Sequence, residues 1–115
     1  MASHNDLGKR GEEIAKVYLE NKGYQILKMN WRHKRAEIDV IAKHEGTLIF
    51  VEVKTRSSDF CGSGFEAITK SKYENIKTGL FMYLNETKIK YDKFQIDAIS
   101  ITLNPTVKIK HLKNI

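Results

Sequence analysis

Two charged side chains interrupt the most apolar segment of the chain, residues 48–54 (LIFVEVK). Alternate residues of a β-strand point to the same face, so Glu52 and Lys54 share a face with Leu48 and Phe50. A strand that is apolar on both faces is normally central in a sheet and covered on both sides, where an ion loses its hydration at high cost. Either the two charges reach solvent where the strand ends, or their surroundings compensate for that loss.

A third charge lies in the preceding apolar segment, where Asp39 is flanked by Ile38 and Val40. The loop between the two segments is short, which favours an antiparallel hairpin that can place Asp39 beside Glu52. Two carboxylates in a low-dielectric environment repel each other, and a divalent cation removes that penalty. Mg²⁺ commonly binds through one or two carboxylates, with water and phosphate oxygens as its other ligands. We therefore predict a Mg²⁺ (or Mn²⁺) site here, with Lys54 placed to meet a phosphate or a metal-bound water.

These residues require a sheet and helices to position them. Apolar periodicity, glycines and turn residues predict the elements in chain order: a helix over 11–22 ended by Gly23, strands over 24–31, 37–42 and 47–55, a helix over 71–85 opened by a capping box from Ser71 to Glu74, and strands over 93–101 and 107–112. The order is helix, three strands, helix, one or two strands. We expect an α/β fold in which a mixed sheet is flanked by helices, forming a single domain over residues 1–115.

Length and composition exclude several classes of protein. With 115 residues, 41% hydrophobic and 30% charged, the chain has the composition of one globular domain. Its single cysteine, Cys61, excludes an internal disulfide framework and a Cys-rich zinc site. No apolar run approaches the roughly 20 residues that span a bilayer, and residues 1–10 lack the apolar core of a signal peptide. We expect a cytoplasmic protein with no membrane partner.

The charge balance favours a polyanionic partner. The formal net charge is +6 and the sequence pI is about 9.4. Basic residues cluster in the segment 28–35, which contains no acid, and six lysines follow from Lys88 onward against Asp92 and Asp97. Nucleic acid is the natural partner of such a domain, although excess lysine is also a common means of keeping a protein soluble.

Several motifs together resemble a known family. They are Gly8 to Ala15 (GKRGEEIA), Gly23-Tyr24, Asn30 to Arg32 (NWR), Glu37 to Asp39 (EID), Phe50 to Arg56 (FVEVKTR) and Phe94 to Asp97 (FQID). In this order they resemble the YraN-like family of small bacterial proteins, related to archaeal Holliday-junction resolvases. Asp39 followed by Glu52-Val53-Lys54 is similar to the acid–(D/E)xK signature of the restriction-endonuclease-like nucleases. Two positions depart from the pattern, since Ala36 replaces a usual glycine and Ile38 a frequent proline.

The resemblance implies a restriction-endonuclease-like fold and a role for each matching residue. Asp39 and Glu52 correspond to the metal-binding carboxylates, with the Val53 carbonyl as a further ligand, and Lys54 corresponds to the catalytic lysine. Glu12 corresponds to an additional acid of the resolvases. Its spacing from Ala15 and Leu19 places it on the sheet-facing side of its helix or at the border of that side, while the simpler alternative is a first-turn glutamate favoured by the helix dipole.

The remaining candidates would bind nucleic acid; they are Arg32, Lys34, Arg35, Thr55, Arg56, Lys70 and Lys72. The expected function is that of a Mg²⁺-dependent endonuclease acting on DNA, with structured or branched DNA suggested by analogy and a homodimer suited to such a substrate. The alternatives are a non-catalytic nucleic-acid-binding module of the same fold and a protein-interaction domain whose basic charge is incidental.

Overall fold

One five-stranded sheet carries a helix on each face. The computed structural model describes residues 4–58 and 69–115, so Cys61 lies outside the described residues. The elements are α1 (His4–Asn21), β1 (Gln25–His33), β2 (Ala36–His44), β3 (Thr47–Ser58), α2 (Lys70–Thr87), β4 (Lys93–Asn104) and β5 (Lys108–Leu112). The strand order is β1-β2-β3-β4-β5, with β3 and β4 parallel and the other neighbours antiparallel. The predicted mixed α/β layout of helix, three strands, helix and one or two strands is confirmed, with two strands at the end.

Strand β3 is central and has a hydrophobic core on each side. On the α1 side Ile49 and Val51 pack with Leu19. On the α2 side Leu48 and Phe50 pack with a different group, Ile76, Leu80 and Tyr83. The alternation predicted for β3 is therefore confirmed. Each fully buried large side chain of these cores contributes about 1.5–3 kcal/mol.

Two helical glycines let the helices approach the sheet closely. A Cβ on Gly11 would overlap the side chain of Thr55, so only glycine at this position lets α1 pack this closely against the end of β3. A Cβ on Gly79 would lie only 3.2 Å from the side chains of Ala36 and Ile38. The cost of about 1 kcal/mol for glycine in a helix interior is offset at these positions by close packing.

Both helices begin earlier than the sequence pattern predicts. The predicted start of α1 at Gly11 is wrong, because α1 begins at His4 and its added turns are fixed by Leu7, which packs against the α1-side core. The predicted capping box at Ser71 is also wrong. The N-cap of α2 is Thr69, whose Oγ1 accepts a hydrogen bond from the Lys72 backbone N–H at 3.1 Å. Neither described helix is apolar enough to cross a membrane.

A buried hydrogen-bond network fastens the last strand to β4 and α1. Asp97 is fully buried, and its carboxylate accepts from Gln95 Nε2, from the Asn114 backbone N–H and from His111 Nε2 at 2.7 Å. The other ring nitrogen of His111 hydrogen-bonds the Tyr18 hydroxyl at 3.0 Å. Burial by itself raises the pKa of Asp97, but the hydrogen bonds from His111 and Asn114 outweigh it and lower that pKa below its usual value. The Asp97 carboxylate therefore serves to hold the last strand in place.

Candidate active site

The predicted catalytic residues meet in one cleft of about 390 Å³. The cleft lies where the start of α1, the strands β2 and β3 and the first turns of α2 come together. It is lined by Leu7, Gly8, Glu12, Arg35, Glu37, Asp39, Glu52, Val53, Lys54, Thr55, Lys72, Asn75 and Ile76. The fold thus brings together carboxyl groups from α1, β2 and β3 with cationic groups from β3 and α2.

Asp39 is held by the backbone of the neighbouring strand. The β2–β3 ladder ends at the pair Val40–Val51, and beyond it Asp39 Oδ2 accepts a hydrogen bond from the Val53 N–H at 2.8 Å. The Asp39 carboxylate thus takes the acceptor role that a backbone carbonyl has elsewhere in the ladder. The side chain of residue 39 is consequently fixed in position by the sheet itself.

The neighbouring strands β1 and β2 share an irregularity beside Asp39. Ile38 packs in the α2-side core but Val40 in the α1-side core, although residues two apart in a regular strand share a face. Across the ladder, Asn30 of β1 has a φ of 52°, a left-handed conformation that asparagine adopts more readily than most residues. In both strands, therefore, the side chains switch from one face of the sheet to the other, at Asn30 in β1 and at Asp39 in β2.

Asp39 and Glu52 form the buried acidic pair predicted from the sequence. Their exposed fractions are 8% and 5%. Burial, followed by the negative charge of Glu52, raises the pKa of Asp39 to about 8, against the lowering effect of the Val53 N–H. A hydrogen bond with the Glu52 carboxyl raises it further. The two carboxyl groups therefore face the same cleft and interact directly.

Glu12 joins this acidic group from the first helix. It is half-buried and lines the cleft, while Ala15 and Leu19 of the same helix are fully buried. Burial raises the pKa of Glu12; the charges of Glu37 and Glu52 act in the same direction, and a hydrogen bond with Asn30 acts against them. Of the two alternatives considered for Glu12, this geometry favours a residue at the sheet-facing border.

Lys72 makes a contact that the sequence did not predict. Its Nζ lies 2.5 Å from Glu52 Oε1, with side-chain exposures of 44% for the lysine and 6% for the glutamate. Partial burial lowers the pKa of Lys72, but its hydrogen bond to Glu52 and the charge of that carboxylate raise the pKa above its usual value overall. Lys72 is therefore a charged partner of a candidate metal ligand rather than a lysine free on the surface.

Lys54 faces the same cleft without such a partner. It lies two residues beyond Glu52 on β3, is half-exposed, and makes no ion pair with any other described residue. Its ammonium is thus available to an anion that enters the cleft.

The other predicted nucleic-acid contacts divide into two groups. Arg35 and Thr55 line the cleft, and Thr55 also lies against Gly11. Lys34 is exposed in the β1–β2 turn with a φ of 56°, and Lys70 is exposed at the first residue of α2, outside the cleft lining.

Two arginines do not reach the cleft. Arg32 pairs with Glu37 at 3.2 Å on the surface, where both side chains are largely exposed. The Nε and Nη1 atoms of Arg56 are buried and have no hydrogen-bond partner within the described part of the chain. The fold does not bring either guanidinium group to the acidic pair.

The oxygen ligands in the cleft fit a magnesium ion. Among the described residues no group of three or more His, Cys, Asp or Glu side chains is arranged to hold a metal. Asp39 and Glu52 offer only carboxylate oxygen atoms, with Val53 beside them in the cleft lining, and Mg²⁺ commonly binds through one or two carboxylates while keeping several waters. The pair also has an electrostatic reason to bind a cation, since its like charges are buried together.

The fold and site define a mixed α/β protein with an acidic cleft at the end of its central strand. Lys54 and Lys72 also line that cleft. A family model, described as the uncharacterised protein family UPF0102, matches residues 11–101, and the chain belongs to that family. The matched region includes Glu12, Asp39, Glu52, Lys54 and Lys72. The family resemblance predicted from the sequence motifs is confirmed at this level.

Relatives match over nearly their whole length. A UPF0102 protein of Christiangramia forsetii is 38% identical over 115 residues, covering 99% of this chain and 96% of the relative. One of Syntrophomonas wolfei is 38% identical over 112 residues, covering 96% and 97%. One of Clostridium botulinum strain Hall is 42% identical over 116 residues, covering 96% and 94%. These names give the family and no activity.

Proposed function

We propose that this protein is a Mg²⁺-dependent nuclease of the restriction-endonuclease-like superfamily that hydrolyses phosphodiester bonds of DNA. The observation that carries the proposal is the buried pair of Asp39 and Glu52, facing an open cleft beside Lys54, whose ammonium makes no ion pair among the described residues. The acid–(D/E)xK pattern and the likeness to archaeal Holliday-junction resolvases support the same proposal by analogy.

Each residue has a role that follows from its position. Asp39, Glu52 and the Val53 carbonyl would hold the cation, which supplies a more acidic bound water and stabilises charge on the scissile phosphate. Lys54 would orient the attacking water and neutralise charge that develops on the phosphate. Glu12, near the border of the acidic group, would adjust the field around the cation.

DNA is the proposed substrate because the chain is basic and cationic side chains line part of its cleft. The formal net charge is +6, and Arg35, Lys54 and Lys72 lie in the cleft lining. Structured or branched DNA follows from the analogy with resolvases, and a two-fold dimer would suit a junction.

The test is hydrolysis of labelled single-stranded, duplex, forked and four-way-junction DNA with Mg²⁺ or Mn²⁺. The variants Asp39→Asn and Glu52→Gln are expected to cut more slowly by about 10²-fold or more, while Glu74→Gln, an exposed acid of α2, serves as the matched control. Cutting at the wild-type rate by both cleft variants would remove these residues from the chemistry.

One observation favours the alternative of a nucleic-acid-binding module that does not cut. Lys72 already neutralises Glu52, so the burial of that acid has a partner within the protein. Salt-sensitive DNA binding, with no cleavage by the wild type across all substrates and metals, would establish this alternative. An interaction domain with incidental basic charge would show no salt-sensitive DNA affinity.

A further inference from the structure

The contact between Lys72 and Glu52 gives the second helix a part in cation binding. We infer that Lys72 competes with the divalent cation for Glu52, and that cation binding transfers the Lys72 ammonium to a phosphate of the bound nucleic acid. This inference rests on the proposed function, since it takes Glu52 as a cation ligand and nucleic acid as the partner.

The competition follows from the placement of the two groups. Lys72 Nζ is in direct contact with Glu52 Oε1, as in a charge-assisted hydrogen bond. A cation on the same carboxylate would bring a second positive charge within a few ångströms of the ammonium, where like charges repel strongly in a partly buried cleft. The ammonium must therefore withdraw when the cation binds.

The difference in exposure decides which partner moves. The Glu52 side chain is 6% exposed and lies on the central strand, whereas the Lys72 side chain is 44% exposed at the first turn of α2. The backbone N–H of Lys72 is fixed by the Thr69 hydroxyl at 3.1 Å, so the backbone at residue 72 stays in place while the side chain can swing. Withdrawal of the lysine requires only rotamer changes of an exposed side chain.

The released ammonium has a phosphate within reach if nucleic acid occupies the cleft. Lys72 lines the same cleft as Lys54 and Arg35, which face an entering phosphate backbone. The cation and the nucleic acid would then bind cooperatively, because each favours the withdrawn position of Lys72. A lysine with a purely structural role would give no such coupling.

Calorimetric titration with Mn²⁺ and Mg²⁺ tests the competition. Lys72→Met keeps the apolar stem without the charge, and it is expected to bind the cation about fivefold more tightly than the wild type, the equivalent of one ion pair with an exposed partner. Lys77→Gln, on the same helix but outside the cleft lining, is the matched control and is expected to bind the cation like the wild type. Glu52→Gln is expected to lose cation binding, and thermal unfolding of each variant confirms that it is folded.

Fluorescence anisotropy with a labelled DNA duplex, with and without Ca²⁺, tests the transfer. Ca²⁺ is expected to increase the DNA affinity of the wild type more than that of Lys72→Met. Unchanged cation affinity in Lys72→Met, with normal binding by the wild type, would overturn the inference and leave the proposed function standing. An equal Ca²⁺-dependent gain in both proteins would overturn the transfer step, and absence of cation binding in the wild type would overturn both proposals.

Discussion

Replacing Asp39 with asparagine is expected to stabilise the folded chain at pH 8 when divalent cations are removed. Burial and the charge of Glu52 raise the pKa of Asp39 from 3.8 to about 8. Between these two values the folded state keeps a proton that the unfolded chain releases, so the contribution of Asp39 to stability is greatest below about pH 4 and is lost as the pH rises to about 8. Asparagine carries no charge and can still accept the Val53 N–H.

The magnitude follows from the gap between the two pKa values. That gap is equivalent to about 5–6 kcal/mol as an upper limit. Because Asp39 and Glu52 interact directly and Lys72 already offsets part of the charge, a single substitution is expected to recover about 2 kcal/mol at pH 8. Near pH 4 the two proteins are expected to be nearly equally stable.

Urea denaturation of both proteins at several values from pH 4 to pH 8, with a chelator present, measures this difference. The other ionisable groups are common to both proteins, so their contributions cancel in the comparison. Glu74→Gln provides the exposed-acid control and should leave the pH dependence unchanged. If Asp39→Asn were less stable than the wild type at pH 8, or kept the same slope with pH, the argument that buried like charges strain this site would be refuted.

Two further predictions concern the packing of α1 on β3 and the buried hydrogen bonds of Asp97. Gly11→Ala is expected to lower the free energy of unfolding in urea by about 3 kcal/mol, because its methyl group overlaps Thr55. Gly8→Ala, whose added methyl group meets nothing within 4 Å, should instead stabilise the same helix by up to about 1 kcal/mol. Equal stability of Gly11→Ala and the wild type would contradict the close approach of α1 to β3. Asp97→Asn is expected to cost about 2–3 kcal/mol at pH 7 in thermal or urea unfolding, since it weakens the bond to His111. The lowered pKa of Asp97 means that this difference should shrink below about pH 4, and a pH-independent difference would argue against a charged acceptor.

The carboxylate pair could be predicted from the sequence because its geometry is local. Strict alternation fixes which face Glu52 and Lys54 share, and a short loop forces β2 and β3 to pair as neighbours. Residues 39 and 52 lie directly beyond the last ladder pair, Val40–Val51, so a hairpin in this register brings them together. Periodicity and loop length therefore contain most of the information about this part of the cleft.

The contact of Lys72 with Glu52 could not be predicted, because it depends on tertiary packing. Several lysines lie in the second helix, and only the depth and rotation of α2 on the sheet select one of them. The depth and rotation of α2 depend on Gly79, which in the sequence indicated only a less stable helix. Similarly, Ser71 fits a capping pattern, but the N-cap lies two residues earlier, at Thr69.

The hydrogen bond from Val53 to Asp39 has a consequence for how this fold can evolve. An aspartate at residue 39 completes the sheet where its own backbone ladder ends, and a glutamate, one methylene longer, would carry the acceptor past the N–H that it must meet. The side chain of residue 39 thus serves the architecture as well as any chemistry. A descendant that had lost catalysis would still need an acceptor of this length there, aspartate or asparagine, while residues 52 and 72 could change together into any pair that packs.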